Sequence, residues 1–98
     1  MLTSKQKMQL KGMANTLNSM YQIGKREVSK AQLEMLDKAL LAHELIKVSV
    51  LKSICDDKMA IALDLSSGLN AEIVQIIGHV IILFRSNPDK QDHIRLVK

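Results

Sequence analysis

Residues 23 to 33 constrain the fold most. The stretch Ile23-Gly24-Lys25-Arg26-Glu27-Val28-Ser29 leads from an apolar run through a glycine and two cations into a helix start. Ser29 is a strong N-cap and Gln32, three residues on, completes a capping box, while Val28 and Leu33 form the matching hydrophobic staple. A strand must therefore end near Ile23 and a helix must begin at Ser29, joined by a short basic loop. Gly24 lets the backbone turn closely, Lys25 and Arg26 supply charge, and the helix behind them points its free amides at whatever the loop meets. Gly24, Lys25, Arg26 and Lys30 are accordingly candidate phosphate contacts; the bland reading is an ordinary solvated turn.

The same alternation runs along the chain. Thr3 or Ser4 can cap a first helix over 4–17, with Leu10, Met13, Ala14 and Leu17 as its apolar stripe. Lys7 and Lys11 share one flank of it, and the missing side chain of Gly12 would admit a close neighbour. Ser19–Ile23 reads as a short strand with Tyr21 and Ile23 on one face. The helix over 29–43 buries Leu33, Leu36 and Leu40 and ends at His43-Glu44. Leu45–Leu51 alternates, with Ile46, Val48 and Val50 on one side and Lys47 and Ser49 on the other. Asp56 and Asp57 suit the start of a helix over 57–67, with Met59, Ala60 and Leu63 apolar and Gly68 as its stop. Glu72–Ile77 and Val80–Arg85 are strands, and Gly78-His79 between them fits a two-residue hairpin turn.

The order αβαβαββ predicts an α/β (α+β) domain, two-layered, with a four-stranded mixed sheet. Its strand–helix–strand crossovers should put the second and third helices on one face, leaving the first for an edge or the other face. Ninety-eight residues, 47% of them apolar, suffice for one core. The expected domain spans 1–86 and residues 87–98 form a tail, in which Ile94 and Leu96 could dock. The six methionines are expected to be mostly core filler.

Charge narrows the function. Net charge is +4, and residues 1–30 hold six Lys and Arg against Glu27 alone, while the rest is nearly balanced. A sided basic excess suits a nucleic-acid binder. Aromatics are only 2%, so no platform exists on which successive bases could stack. RNA would be held through its backbone and shape. Lys47, on a strand, and Arg85, at the hairpin end, are further candidate contacts; an ion pair with Glu72 is the alternative for Arg85.

Other chemistry finds no support. Cys55 is the only cysteine and has no local base or Cys-x-x-Cys partner. His43, His79 and His93 lack partners at metal-ligand spacing. His43 reads as a helix-end residue and His79 as a turn residue. The Gly24 loop lacks the longer P-loop pattern. No signal-peptide core or membrane-length apolar run is present. These readings predict a cytoplasmic, monomeric, non-enzymatic protein with no cofactor, metal, membrane or small-molecule substrate.

Four segments together resemble a known family: Thr3-Ser4-Lys5-Gln6-Lys7 with Leu10-Lys11-Gly12-Met13-Ala14; Ile23-Gly24-Lys25; His43-Glu44-Leu45-Ile46-Lys47-Val48; and Gln75-Ile76-Ile77-Gly78 with Ile82-Leu83-Phe84-Arg85. Their order and spacing look like the CRM domain (chloroplast RNA splicing and ribosome maturation) in its stand-alone bacterial YhbY-like form. The resemblance implies a fold similar to the C-terminal domain of translation initiation factor 3. It also implies RNA binding, with the bacterial members associated with precursors of the large ribosomal subunit. The family's loop after the first strand is usually Gly-x-x-Gly, like that of KH domains, and clamps RNA with its backbone. Here it reads Gly24-Lys25-Arg26-Glu27. Glu27 cannot easily adopt positive φ, and it brings a negative charge. Lys25 and Arg26 are expected to compensate with point charge and a bidentate fork; the alternative is that Glu27 turns away to pair with Lys30 or Lys25. A protein-interaction adaptor that never touches RNA is the competing reading.

Overall fold

Thr3, not Ser4, caps the first helix. Its hydroxyl accepts the N–H of Gln6 at 3.1 Å and the Gln6 side chain accepts the N–H of Thr3 at 3.0 Å, a capping box. The computed structural model describes residues 2–17, 21–91 and 93–97, with Cys55 described in its backbone only. Helix α1 spans Ser4–Ala14, shorter than the predicted 4–17, and loosens after Asn15 into single-turn hydrogen bonds from Thr16 and Leu17. Strand β1 is Tyr21–Ile23; Ser19 and Met20 of the predicted strand lie outside the described residues. Helix α2, Lys30–His43, starts on the predicted reciprocal Ser29–Gln32 cap. Then follow β2 (Leu45–Val50), a 3₁₀ turn (Lys52–Asp57), α3 (Lys58–Leu69), β3 (Glu72–Ile77) and β4 (Val80–Phe84).

The sheet order is β1-β2-β4-β3, with β1 parallel to β2 and the other pairs antiparallel. This is the predicted four-stranded mixed sheet. Gly78, with φ +55°, opens the β3–β4 turn. Pleating sends alternate β2 residues to opposite faces. Ile46, Val48 and Val50 meet Leu36 and Leu40 of α2 and Ile61, Ala62, Leu65 and Leu69 of α3 in one core. Val28 and Leu33 flank that core half-buried. On the other face Leu45 joins Val74, Ile82 and Phe84 beneath Leu10 and Ala14 of α1. Helices α2 and α3 thus share one face, as their crossovers require, and α1 takes the opposite one. Each fully buried leucine or isoleucine adds about 1.5–3 kcal/mol through lost apolar hydration.

Several expectations need correction. Met59 and Leu63 are exposed; α3 buries Ile61, Ala62, Leu65 and Leu69 instead. The helix is apolar nearly all round, so periodicity offered two stripes and did not choose between them. Asp57 is the N-cap of α3, but its side chain makes no capping bond. Gly68 does not stop α3. It lies inside the last turn, where a Cβ would come 3.3 Å from Leu33 Cδ2 of α2. Asn70, at φ 52°, takes the left-handed cap instead. Gly12 admits no close neighbour, since a Cβ there would meet nothing within 4 Å. Met8, Met13, Met35 and Met59 are exposed, not core filler.

The C-terminal segment shows the docking alternative. Ile94 and Leu96 pack half-buried against the α1-side core. Glu44, fully buried, receives the N–H of Asn87 at 2.9 Å and of Ile94 at 2.6 Å.

Candidate nucleic-acid interface

The basic loop sits at the carboxyl ends of the two parallel strands. Ile23 pairs with Val50, and the Ile23 carbonyl accepts the N–H of Leu51 at 3.0 Å. Gly24 then passes close to Leu51: an added Cβ would lie 3.2 Å from Leu51 Cδ1. Closeness of packing, not left-handed backbone, is therefore what this glycine serves. Among the described residues positive φ occurs only at Glu44, Asn70 and Gly78. The conformation Glu27 was expected to resist is not demanded of it.

Lys25, Arg26, Glu27 and Lys30 are all exposed. Arg26 Nη1 donates to Asp64 Oδ2 at 2.9 Å, which ties the loop to α3. The pair is open to water, so its net stabilisation is roughly 0–1 kcal/mol. The ammonium groups of Lys25 and Lys30 have no acidic partner among the described residues. Gly24, Lys25, Glu27, Ser29 and Gln32 line a shallow cleft of about 410 Å³. Glu27 faces that cleft and, among the described residues, pairs with neither Lys30 nor Lys25, so the alternative of an ion pair there is not the one taken. Behind it, the Ser29 cap takes the Gln32 amide, which leaves the Lys30 and Ala31 amides of α2 without an intrahelical acceptor.

The eight predicted residues do not form one patch. Gly24, Lys25, Arg26 and Lys30 cluster at the loop. Lys7 and Lys11 ride on α1, which covers the other face of the sheet. Lys47 lies on that face too, and its ammonium donates to the Leu17 carbonyl at 2.9 Å, closing the turn after α1. Arg85 serves the core. Its guanidinium donates to Asp37 Oδ1 at 2.7 Å, to the Asp37 carbonyl at 3.0 Å and to the Leu69 carbonyl at 2.7 Å. It joins the C-terminal end of α3 to α2, and its ion-pair partner is Asp37 rather than Glu72.

Two cations near the loop were missed. Lys52 follows the Leu51 that packs on Gly24, and it is exposed. Lys58 Nζ donates to the Gly78 carbonyl at 2.8 Å, so it braces the β3–β4 turn at the same end of the sheet. Only the pairing of β1 with β2 brings Lys52 beside Gly24, and no local motif announces that.

His43 is the last residue of α2 and is exposed. His79 sits exposed in the β3–β4 turn, and His93 Nδ1 meets the Lys90 carbonyl at 3.3 Å. Among the described residues no three His, Cys, Asp or Glu side chains are grouped to hold a metal. No described helix is long and apolar enough to cross a membrane. What the surface offers is fixed positive charge around a helix start, which suits anion docking.

Known proteins place this arrangement in context. Residues 2–85 match the family model of the CRS1 / YhbY (CRM) domain. The "Probable RNA-binding protein YqeI" of Bacillus subtilis (strain 168) is 38% identical over 91 residues, covering 93% of this chain and 95% of that protein. An "RNA-binding protein" of Haemophilus influenzae is 36% identical over 95 residues, covering 97% of this chain and 94% of that one. The solution structure of the hypothetical protein SAV1595 from Staphylococcus aureus superposes with a TM-score of 0.82 at 37% identity, covering 99% of this chain and 100% of that one. With the family model, the fold and near end-to-end likeness in agreement, the chain belongs to the CRS1 / YhbY (CRM) domain family.

Proposed function

We propose that this chain is a non-enzymatic RNA-binding protein that docks on structured ribosomal RNA and assists assembly of the large ribosomal subunit. It would act as a cytoplasmic monomer with no cofactor. The observation that carries the reading is the Gly24–Lys30 loop: Lys25 and Lys30, exposed and without an acidic partner among the described residues, and the exposed Arg26 flank the start of a helix whose cap takes the Gln32 amide and leaves those of Lys30 and Ala31 to other acceptors. Relatives named for RNA binding, similar over nearly their whole length, support it.

The mechanism is electrostatic. Phosphates settle at the loop and the α2 N-terminus, with Lys7 and Lys11 offering a second contact on α1. Lys47 and Arg85 drop to structural roles, since their donors are already used inside the protein. With roughly four phosphates neutralised, log K should fall with log salt at a slope of about −3 to −4.

The test is crosslinking in cells followed by sequencing of the attached RNA. Peaks in precursor large-subunit ribosomal RNA are expected. Scattered messages would point to another RNA role, and a protein partner with no RNA would favour an adaptor. In vitro, changing Lys25 and Arg26 together to Ala should weaken RNA binding at unchanged stability. Unchanged affinity in that variant would move the site elsewhere.

A further inference from the structure

The family match ends at residue 85, yet the segment 93–97 is built into the α1 face. Ile94 and Leu96 point into the core while Arg95 and Val97 point outward. Gln9 grips the outer residues: its Nε2 donates to the Arg95 carbonyl at 2.8 Å and its Oε1 accepts the N–H of Val97 at 2.8 Å. Gln6 Nε2 adds a bond to the Val97 carbonyl at 2.9 Å. The segment therefore lies along the α1 flank that carries Gln6 and Gln9. At 100° per residue, Lys11 is about 200° from Gln9, on the opposite flank with Lys7.

Charge differs across the sheet. Helix α1 carries Lys5, Lys7 and Lys11 and no acid. On the other side α2 offsets Lys30 and Lys38 with Glu34 and Asp37, and the 3₁₀ turn and α3 offset Lys52 and Lys58 with Asp56, Asp57 and Asp64. The Gly24 loop adds Lys25 and Arg26 against Glu27, so the larger local basic excess is that of α1. The guanidinium of Arg95 has no partner among the described residues and is exposed. Between the two flanks the crest of α1 is low at Gly12, which has open space above it.

From this geometry we infer that the docked C-terminal segment is part of the RNA-contacting surface. Arg95 supplies a phosphate contact on one flank of α1, Lys7 and Lys11 supply contacts on the other, and Gly12 lets the nucleic-acid backbone approach between them. The inference rests on the RNA-binding reading and extends it to a second face, remote from the Gly24 loop.

The experiment measures binding of the full chain to labelled fragments of large-subunit ribosomal RNA across a salt series. Arg95→Glu should bind roughly tenfold more weakly and lose about one unit of salt slope, with an unchanged melting temperature. Arg95→Lys should restore most of the affinity. Gln9→Leu, which removes both bonds to the segment, should weaken binding too and speed amide exchange at Val97. If Arg95→Glu keeps the native affinity and slope while Lys25→Ala with Arg26→Ala weakens binding, this inference falls and the RNA-binding reading stands. A native chain that shows no salt-dependent binding overturns both.

Discussion

Glu44 Oε1 accepts the backbone N–H of Ile94 at 2.6 Å, joining the end of α2 to a segment fifty residues later. The other carboxylate oxygen receives the N–H of Asn87, and the Glu44 carbonyl receives the N–H of Arg85. One residue thus ends α2, at φ 64°, and holds the C-terminal segment at Asn87 and Ile94. A fully buried carboxylate is stable only with such donors.

Glu44→Ala should therefore lower stability by about 3 kcal/mol, because two amides lose a charged acceptor. Glu44→Gly loses the same acceptors but relieves the left-handed backbone, and should be milder by about 1 kcal/mol. Urea unfolding gives the difference. Amide exchange at Ile94 and Asn87 should accelerate equally in both variants. Protection that survives at Ile94 would mean the segment is held by packing alone.

The sequence places Arg85 among phosphate contacts; the structure gives it three internal acceptors. Arg85→Ala should cost about 3 kcal/mol, since the carbonyls of Asp37 and Leu69 and the Asp37 carboxylate lose their donor together. Arg85→Lys keeps the charge but not the planar fork, and should cost about 1–2 kcal/mol. RNA affinity of the folded fraction should not change in either variant. A loss of affinity larger than the loss of folded protein would return Arg85 to the binding surface.

Gly68 separates packing from propensity. Alanine there gains about 1 kcal/mol of helix propensity over glycine, but its Cβ would press on Leu33 Cδ2 at 3.3 Å. Leu33 is half-buried and its side chain can yield, so Gly68→Ala should be neutral within about 0.5 kcal/mol. Gly68→Val extends further into the α2–α3 contact and should destabilise by about 1–3 kcal/mol. Equal stability of all three in thermal melting would show that the helices are not in tight contact there.

These residues also mark where sequence reasoning stops. Local signals carried the strand–helix order: the Ser29–Gln32 cap, the β2 alternation and the Gly78 turn each depend on neighbours within a few positions. The partners of Arg85, Arg26 and Glu44 lie 16 to 50 residues away, and only the folded topology selects them. Phase failed in α3 because Met59–Leu63 and Ile61–Leu65 are equally apolar. Glu44 did leave a trace, as a lone acid between a helix and an apolar strand, and its buried role is what that isolation meant. At the loop the chemistry was readable while the grouping was not, since Lys7 and Lys11 are close to Lys25 in sequence yet lie on another face.

Glu27 is where the loop departs from the family's usual glycine. The backbone at this position does not take positive φ, so the acid imposes no strain. Its effect on an approaching phosphate is therefore one of charge. A unit charge at about 4 Å in water amounts to about 1 kcal/mol, so Glu27→Gln should raise RNA affinity roughly fivefold at low salt. The gain should shrink as salt screens it. Glu27→Gly should give the same gain, with a stability loss of about 0.5 kcal/mol from the freer unfolded chain. A gain confined to Glu27→Gly would mean instead that the backbone itself must close on the RNA, with residue 27 taking positive φ in the bound state.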